Sequence, residues 1–284
     1  MDFSVQKNLT LKKSKEKGLA TFLIALFTAA CLFVPYMILS EGYFIFYGDF
    51  NVQQIPFYQE GHAAVKSGNM FWNWNTDLGA NTIASYSYYL WGSPFFWLTI
   101  PFPNSFVPYL MGPLLILKFA FAALTAYFYI RRFTRTPEAA SLGGLLYAFS
   151  GFSIYNIFFN QFHESIVLFP LLLLSLELLI TENKRFFFAI TVCLCALANY
   201  FFFFGMVVFT VIYFFVRLFS GAIKVKISRF FVIAFEAVLG LLLSAAILLP
   251  AITTILDNPR VSNTLMGWNA IMYGKEQIYA NILQ

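Results

Sequence analysis

Charge is scarce in this chain. Asp, Glu, Lys and Arg make up 11% of its 284 residues, against roughly a quarter in an average soluble protein. With 60% of the residues hydrophobic, too little polar side chain is left to coat a water-soluble domain, and a disordered or collagen-like chain is excluded as well. Cysteine is nearly absent. Cys31, Cys193 and Cys195 all lie in apolar stretches, and the last two are two apart, so on a helix they point away from each other. A disulfide-stapled secreted domain does not fit, and the three read as small apolar fillers. No phosphate-cradling glycine loop, dinucleotide fingerprint or zinc-ligand spacing occurs, and no H-E-x-x-H follows from His163-Glu164. A bound soluble nucleotide is therefore not expected.

What the chain has in abundance is apolar and aromatic side chain, with 37 phenylalanines. The fold class is an all-α polytopic membrane protein with about seven transmembrane helices and a long first extracytoplasmic loop. Residues 1–18 form a basic segment carrying Lys7, Lys12, Lys13, Lys15 and Lys17. The apolar run from Leu19 to about Leu39 is too long for the core of a cleaved signal peptide, and no A-x-A site ends it, so it is the first span. Residues 40–104 mix acids, amides, glycines and tryptophans with apolar residues. Within them Pro56 to Ser67 reads as a short helix closed by Gly68, and Tyr86 to Trp97 is aromatic enough to lie at the membrane interface or dip into it. Six more spans are placed near 106–130, 138–158, 165–181, 186–199, 201–219 and 230–250. Phe186 to Phe219 is 34 residues without a polar loop, so it is divided into two short spans at Asn199-Tyr200. The seven-helix module thus covers 19–250, and 251–284 is an extracytoplasmic tail.

The basic residues follow this topology. Counting the five N-terminal lysines, 14 of the 18 Lys and Arg residues fall in segments assigned to the cytoplasm, among them Arg131, Arg132, Arg135, Lys184, Arg185 and Arg229. Only Lys66, Arg260 and Lys275 fall outside. This is the positive-inside pattern, and it explains the net charge of +5 without a nucleic-acid partner. Glu41, Asp49, Glu60, Asp77, Glu164, Asp257 and Glu276 all lie on the outer side, so reactive side chains gather there. Glu177 and Glu236 sit near cytoplasmic ends of spans, where snorkelling or local pairing accounts for them. Lys118 is closer to mid-span and either faces a lipid-phosphate groove or pairs with another helix.

Asp49 is the first candidate. It lies about ten residues past the first span, among aromatics, with Gly48 permitting a tight turn. Partial desolvation there favours a raised pKa and a role as a base. Binding a divalent cation with Gln53 or Gln54, or capping a helix, fits the same residue. His163 can contact a phosphate, and Glu164 can bind a metal or polarise an acceptor hydroxyl, or the pair is a polar turn. Arg260 suits a phosphate through its planar fork, or is a surface residue of the Asp257-Asn258-Pro259-Arg260 turn. Trp72 and Trp74 can stack on a sugar or anchor the loop in the headgroup layer. Asp77 reads as a turn former and His62 as interfacial. Gly143-Gly144 and Ser150-Gly151 read as sites of close helix packing.

Several of these segments resemble one known family. Gly48-Asp49, Gln53-Gln54 continuing to Pro56-Phe57, Trp72-Asn73 with Gly79, and Ser93-Pro94-Phe95 resemble the first outer loop of the bacterial YfhO family. Tyr147-Ala148-Phe149-Ser150-Gly151, Asn199-Tyr200-Phe201, and Leu249-Pro250 followed by Arg260 resemble its later motifs, in the same order, over nearly the whole chain past residue 19. That family is similar to GT-C glycosyltransferases. The resemblance implies a GT-C-like seven-helix module in a bacterial cell membrane. It implies sugar transfer from a polyprenyl-phosphate carrier to an extracytoplasmic hydroxyl, with teichoic acid as a candidate envelope acceptor. On that basis Asp49 is the catalytic base. Arg260, His163 and Lys118 contact the donor phosphate, and Gln53, Trp72, Asn73 and Glu164 hold sugar or acceptor. Whether a divalent cation, Mg or Mn, sits on Asp49 or Glu164 is left open. Family members are longer, with further spans and an outer domain. The resemblance therefore implies that this chain is the N-terminal part of a longer member, working with a partner subunit or missing segment. Two rivals stand beside this reading: a transporter or flippase of a lipid-linked substrate, and a non-catalytic lipid-binding fragment. No inverted repeat supports the transporter.

Overall fold

The computed structural model describes residues 3–256; Arg260 and the rest of the tail lie outside them. The protein is an all-α, multi-pass membrane protein. Its helices are α1 (Phe3–Leu39), α2 (Ile55–Ser67), α3 (Thr82–Tyr86), α4 (Pro94–Trp97), α5 (Val107–Ile130), α6 (Pro137–Ala148), α7 (Gly151–Tyr155), α8 (Phe162–Glu182), α9 (Phe187–Ala198), α10 (Tyr200–Phe219) and α11 (Ile227–Leu256). Two π turns, Phe50–Gln54 and Ser87–Trp91, and a two-residue hairpin, Trp72–Asn73 on Ala80–Asn81, complete the 40–104 segment. Helix is what the lipid interior demands, because no backbone N–H or C=O can be left to water there. The starts are written in the sequence. Thr136, Ser150, Asn199 and Ser93 each cap with a side-chain oxygen, and proline follows directly at α4 and α6.

Five segments are long and apolar enough to cross a membrane: Ser14–Leu39, Asn104–Ile130, Phe162–Glu182, Tyr200–Phe219 and Ile227–Leu256. The other two expected spans differ from the sequence reading. The run 138–158 is not one helix: α6 ends at Ala148, and Ser150 starts the separate turn α7 by accepting from the Ser153 N–H. The run 186–199 yields α9, whose 12 residues reach only about 18 Å at 1.5 Å per residue. A hydrocarbon core is about 30 Å thick, so α6 and α9 are half-spans.

The spans pack around α5, which contacts α1, α6 and α8, while α9 lies between α8 and α11. Gly144 lets α6 approach α5, since a Cβ there would stand 2.6 Å from the Ala123 carbonyl, and Gly240 does the same for α11 on α9. Gly151 is different: nothing lies within 4 Å of its would-be Cβ, so it begins α7 rather than serving helix packing. At the end of the bundle where α8 and α10 finish, Arg217 pairs with Glu177 at 3.0 Å, Tyr213 donates to the same carboxylate at 2.5 Å, and Arg132 pairs with Glu182 at 2.8 Å. This is the basic end. Phe27, Phe204 and Leu242 are among many large apolar side chains left exposed on α1, α10 and α11, the surfaces that face lipid.

The opposite end is closed by the 40–104 segment. Its Tyr86, Leu90, Trp91, Phe95 and Phe96 are buried, and Ser87–Trp91 packs on α9 and α11. The aromatic stretch thus fills the space that the half-span α9 leaves. His62, read as interfacial, is fully buried and bonds the Phe102 carbonyl at 3.1 Å.

Candidate functional site

Asp49 sits where the extended stretch after α1 turns into a helix. Gly48, at φ +60°, makes the turn, and the Asn51 side chain closes it by bonding both backbone groups of Phe46. Asp49 precedes the π turn Phe50–Gln54, but its side chain accepts no hydrogen bond from that turn. The capping role is therefore not the one it has here. The half-buried carboxylate instead faces Tyr89, whose hydroxyl also meets the Gln53 side chain. Burial first, and then the Asp49 charge, push the Tyr89 phenol above its ordinary pKa, so it stays a hydrogen-bond donor.

A row of aromatics and amides continues from there. Tyr88 packs on Tyr89 and on Tyr200, with ring centroids 4.9 and 5.3 Å apart. Its hydroxyl faces the side chains of Asn199 and Gln161, and burial followed by the neighbouring Tyr89 and Tyr200 pushes its pKa up to about 12. The Tyr200 hydroxyl faces Ser87. Gln161 and Asn199 are almost wholly buried, yet Gln161 Oε1 and Asn199 Nδ2 complete no hydrogen bond. On the far side Tyr47 stacks on Phe158 at 5.6 Å. Tyr89 thus links Asp49 to a row of tyrosines and amides suited to a polyhydroxylated ligand: amide groups match hydroxyls, and ring faces match the C–H face of a sugar.

Beneath this row lies a buried ion pair. Lys118 Nζ stands 2.9 Å from Glu164 Oε1, and both side chains are 0% exposed. Lys118 stands eleven residues into α5, about 16 Å from that helix's first residue, and its ammonium also donates to the backbone carbonyl and side-chain oxygen of Asn160 at 3.0 and 2.8 Å. Ser93 of the loop donates to Glu164 Oε1 at 2.5 Å. His163 points elsewhere: it is buried, its Nε2 bonds the Ser153 carbonyl at 3.0 Å, and its ring lies 5.3 Å from Phe119.

The structure therefore brings Asp49 and Gln53 together at Tyr89. It brings Lys118 and Glu164 together as partners of each other. The Lys118 charge is met by a carboxylate, which is the pairing with another helix that the sequence also allowed, and Glu164 Oε1 is engaged twice while Oε2 is not. His163 is occupied by backbone. Asn73 donates to Glu60 at 2.6 Å and so ties the hairpin to α2. Trp72 packs edge-on to Trp74 at 5.6 Å, both over Gly79. Among the described residues no hydrogen bond links Trp72 or Asn73 to Asp49. Nor do three His, Cys, Asp or Glu side chains gather among them in a metal-holding group. Asp49 is a lone carboxylate and Glu164 faces an ammonium, so these residues do not by themselves build a cation cage. The sequence reading missed Tyr58, Tyr88, Tyr89, Asn160, Gln161 and the carboxylate-binding role of Ser93. Asn199 was legible only as a turn, and the others carry no local signal, because their roles arise from segments distant in the chain.

The sequence profile of the family described as bacterial membrane protein YfhO matches residues 20–274. No curated protein and no solved structure matches the chain.

Proposed function

The chain belongs to the bacterial YfhO family of membrane proteins, and we propose that it transfers a sugar from a polyprenyl-phosphate carrier to an acceptor hydroxyl at the loop end of the bundle. The observation that carries this reading is the setting of Asp49. Its side chain is not spent on capping, a closed turn fixes it, and Tyr89 beside it opens a row of donors and acceptors of the kind that bind sugar hydroxyls. In this reading Asp49 takes the proton of the acceptor hydroxyl. The freed oxygen attacks the anomeric carbon from the face opposite the phosphate. The bond from that carbon to the phosphate oxygen breaks, the carrier phosphate leaves as its anion, and the anomeric configuration inverts.

The remaining roles are assigned on the same reading. Gln53 and Tyr89 orient the acceptor beside Asp49, and Gln161, Asn199 and the Tyr88–Tyr200 pair hold the sugar. Arg260 is assigned to the carrier phosphate, because Lys118 is neutralised by Glu164 and His163 is bonded to backbone. The lysine and arginine distribution supports an extracytoplasmic loop end and a cytoplasmic N-terminus, where envelope polymers such as teichoic acid are within reach. A divalent cation, if the reaction uses one, would have to draw ligands from the substrate as well as Asp49.

The test is label transfer from polyprenyl-phosphate [14C]glucose and [14C]N-acetylglucosamine to envelope polymer, in membranes bearing the wild-type chain or Asp49→Asn. Loss of a general base predicts a drop of ~10²–10⁴-fold, with donor binding retained. Undiminished transfer by Asp49→Asn would remove that residue from the reaction. Movement of labelled carrier between leaflets without any transfer would establish a transporter instead.

A further inference from the structure

We propose that the buried Lys118–Glu164 pair is a positioning anchor: through Ser93 it fixes the 40–104 loop, and with it Asp49, on the membrane helices. The inference rests on the reading of Asp49 given above. An ion pair in an apolar interior is costly unless further hydrogen bonds share its charge, and because Glu164 Oε2 completes none, the bonds to Oε1 carry that burden. On the lysine side this is done by the bundle itself, through Asn160. On the carboxylate side the bundle supplies Lys118 alone, and the further bond comes from the loop, through Ser93 Oγ. The same hydroxyl accepts from the Phe96 N–H at 3.2 Å, so α4 holds it in one orientation.

Two neighbouring contacts show that this is where the loop meets the bundle. Gly92, the residue before Ser93, lies so near the end of α9 that a Cβ would run into the Leu197 carbonyl. Tyr58 of α2 turns its hydroxyl toward Glu164, Ser93 and Asn160, is fully buried, and packs its ring 5.4 Å from Phe96. Its phenol completes no hydrogen bond of its own, and burial followed by the Glu164 charge raises its pKa, which keeps it a donor toward the pair. Tyr58 lies on the helical stretch that runs unbroken from Phe50 through the π turn into α2, and Asp49 is the residue that begins that stretch. The pair thus reaches Asp49 through two rigid elements, α4 and α2, without touching the reacting atoms.

The experiment compares two double variants of the full chain in nanodiscs. Both lack the charges and differ in whether an acceptor remains for Ser93: Lys118→Met with Glu164→Gln, and Lys118→Met with Glu164→Leu. Neither leaves a lone buried charge, so both can fold. The proposal expects the glutamine form to hold the loop. In the leucine form, amide hydrogen exchange over 86–98 should accelerate about tenfold or more, as befits a lost hydrogen bond to a buried acceptor, while α5 and α8 keep their protection. With the labelled donors above, kcat of the leucine form should fall ~100-fold, the loss that a misplacement near 1 Å brings, with KM unchanged. If the two variants match in exchange and in kcat, the pair is merely structural and the proposal falls. If the exchange contrast appears while the wild-type chain transfers no sugar, the anchor stands and the glycosyl-transfer reading falls.

Discussion

Replacing Gly92 by alanine tests the docking of the loop with a single methyl group. The added Cβ would be driven into the Leu197 carbonyl and close to the Ala198 N–H. These are backbone atoms in the last turn of α9, so no side-chain rotation can yield, and the loop or the helix end must shift as a body. Overpacking of this kind costs about 1–3 kcal/mol, and a rigid obstacle places it at the upper end. A shift large enough to relieve the contact also stretches the 2.5 Å Ser93–Glu164 bond, a charged-group bond that contributes about 1.5–3 kcal/mol. Because one movement causes both losses they overlap, and a total of about 3 kcal/mol is expected. Gly205 is the control. It lies inside α10 with nothing within 4 Å of its would-be Cβ, so alanine there should stabilise by about 0.5–1 kcal/mol through helix propensity alone. Reversible unfolding in mixed micelles reads both, and hydrogen exchange shows where protection is lost. A Gly92→Ala protein as stable as wild type, with 86–98 fully protected, would refute the docking described for this loop.

Two further outcomes follow from the same structure. Glu236 of α11 accepts the Ala189 N–H of α9 at 3.4 Å, and Phe186, the residue before α9, caps nothing. Glu236→Gln should be at least as stable as wild type, since an amide accepts the same N–H without a charge, whereas Glu236→Leu should lose about 1 kcal/mol; equal stability of the two variants in micelle unfolding would show that Glu236 does not cap α9. The loop phenols give a pH dependence. Burial pushes the Tyr88 phenol from its ordinary 10.0 up to about 12, and Tyr58 and Tyr89 shift in the same direction. The folded state holds these protons more tightly, so their contribution is fully present below pH 10 and is lost as pH rises towards 12. Unfolding at pH 9 and pH 11, with phenolate absorbance followed at 295 nm, should show lower stability at the higher pH, and no change between the two would contradict the burial of these rings.

Hydropathy alone located every long span to within a few residues, because an uninterrupted apolar run is the physical requirement for crossing lipid. It could not distinguish a full span from half of one. The residues of α9 are as apolar as those of α10, and what ends α9 after 12 residues is a single cap at Asn199. Ser150 likewise splits the third run, although Ser150-Gly151 by itself suggests helix packing. Asp49 and Gln53 were legible as candidates, while the tyrosines and the amides Gln161 and Asn199 were not. The latter come from three stretches, 87–89, 161 and 199–200, that only the docked loop brings together. For Lys118 both readings were open in the sequence, and the choice fell to a carboxylate 46 residues away in the chain, a partner that no local pattern can indicate.

The half-spans and the polar site are two sides of one constraint. A helix that stops inside the membrane leaves N–H or C=O groups that lipid cannot satisfy, so irregular backbone at that depth must be buried in protein and furnished with polar side chains. This is the arrangement between α6 and α10. Ser150 caps α7, His163 meets the Ser153 carbonyl, Asn160 takes the Lys118 ammonium, and Asn199 caps α10. Those bonds consume some of the polar capacity and leave the rest unpaired under the loop, at Gln161 Oε1, Glu164 Oε2 and Asn199 Nδ2. Seven full spans would have no need of such groups, and a loop floating above them would find no polar floor. The short helices admit the aromatic loop to the depth of the ion pair, where Ser93 bonds Glu164, and the loop that carries Asp49 consequently rests on unspent hydrogen-bonding groups rather than on hydrocarbon.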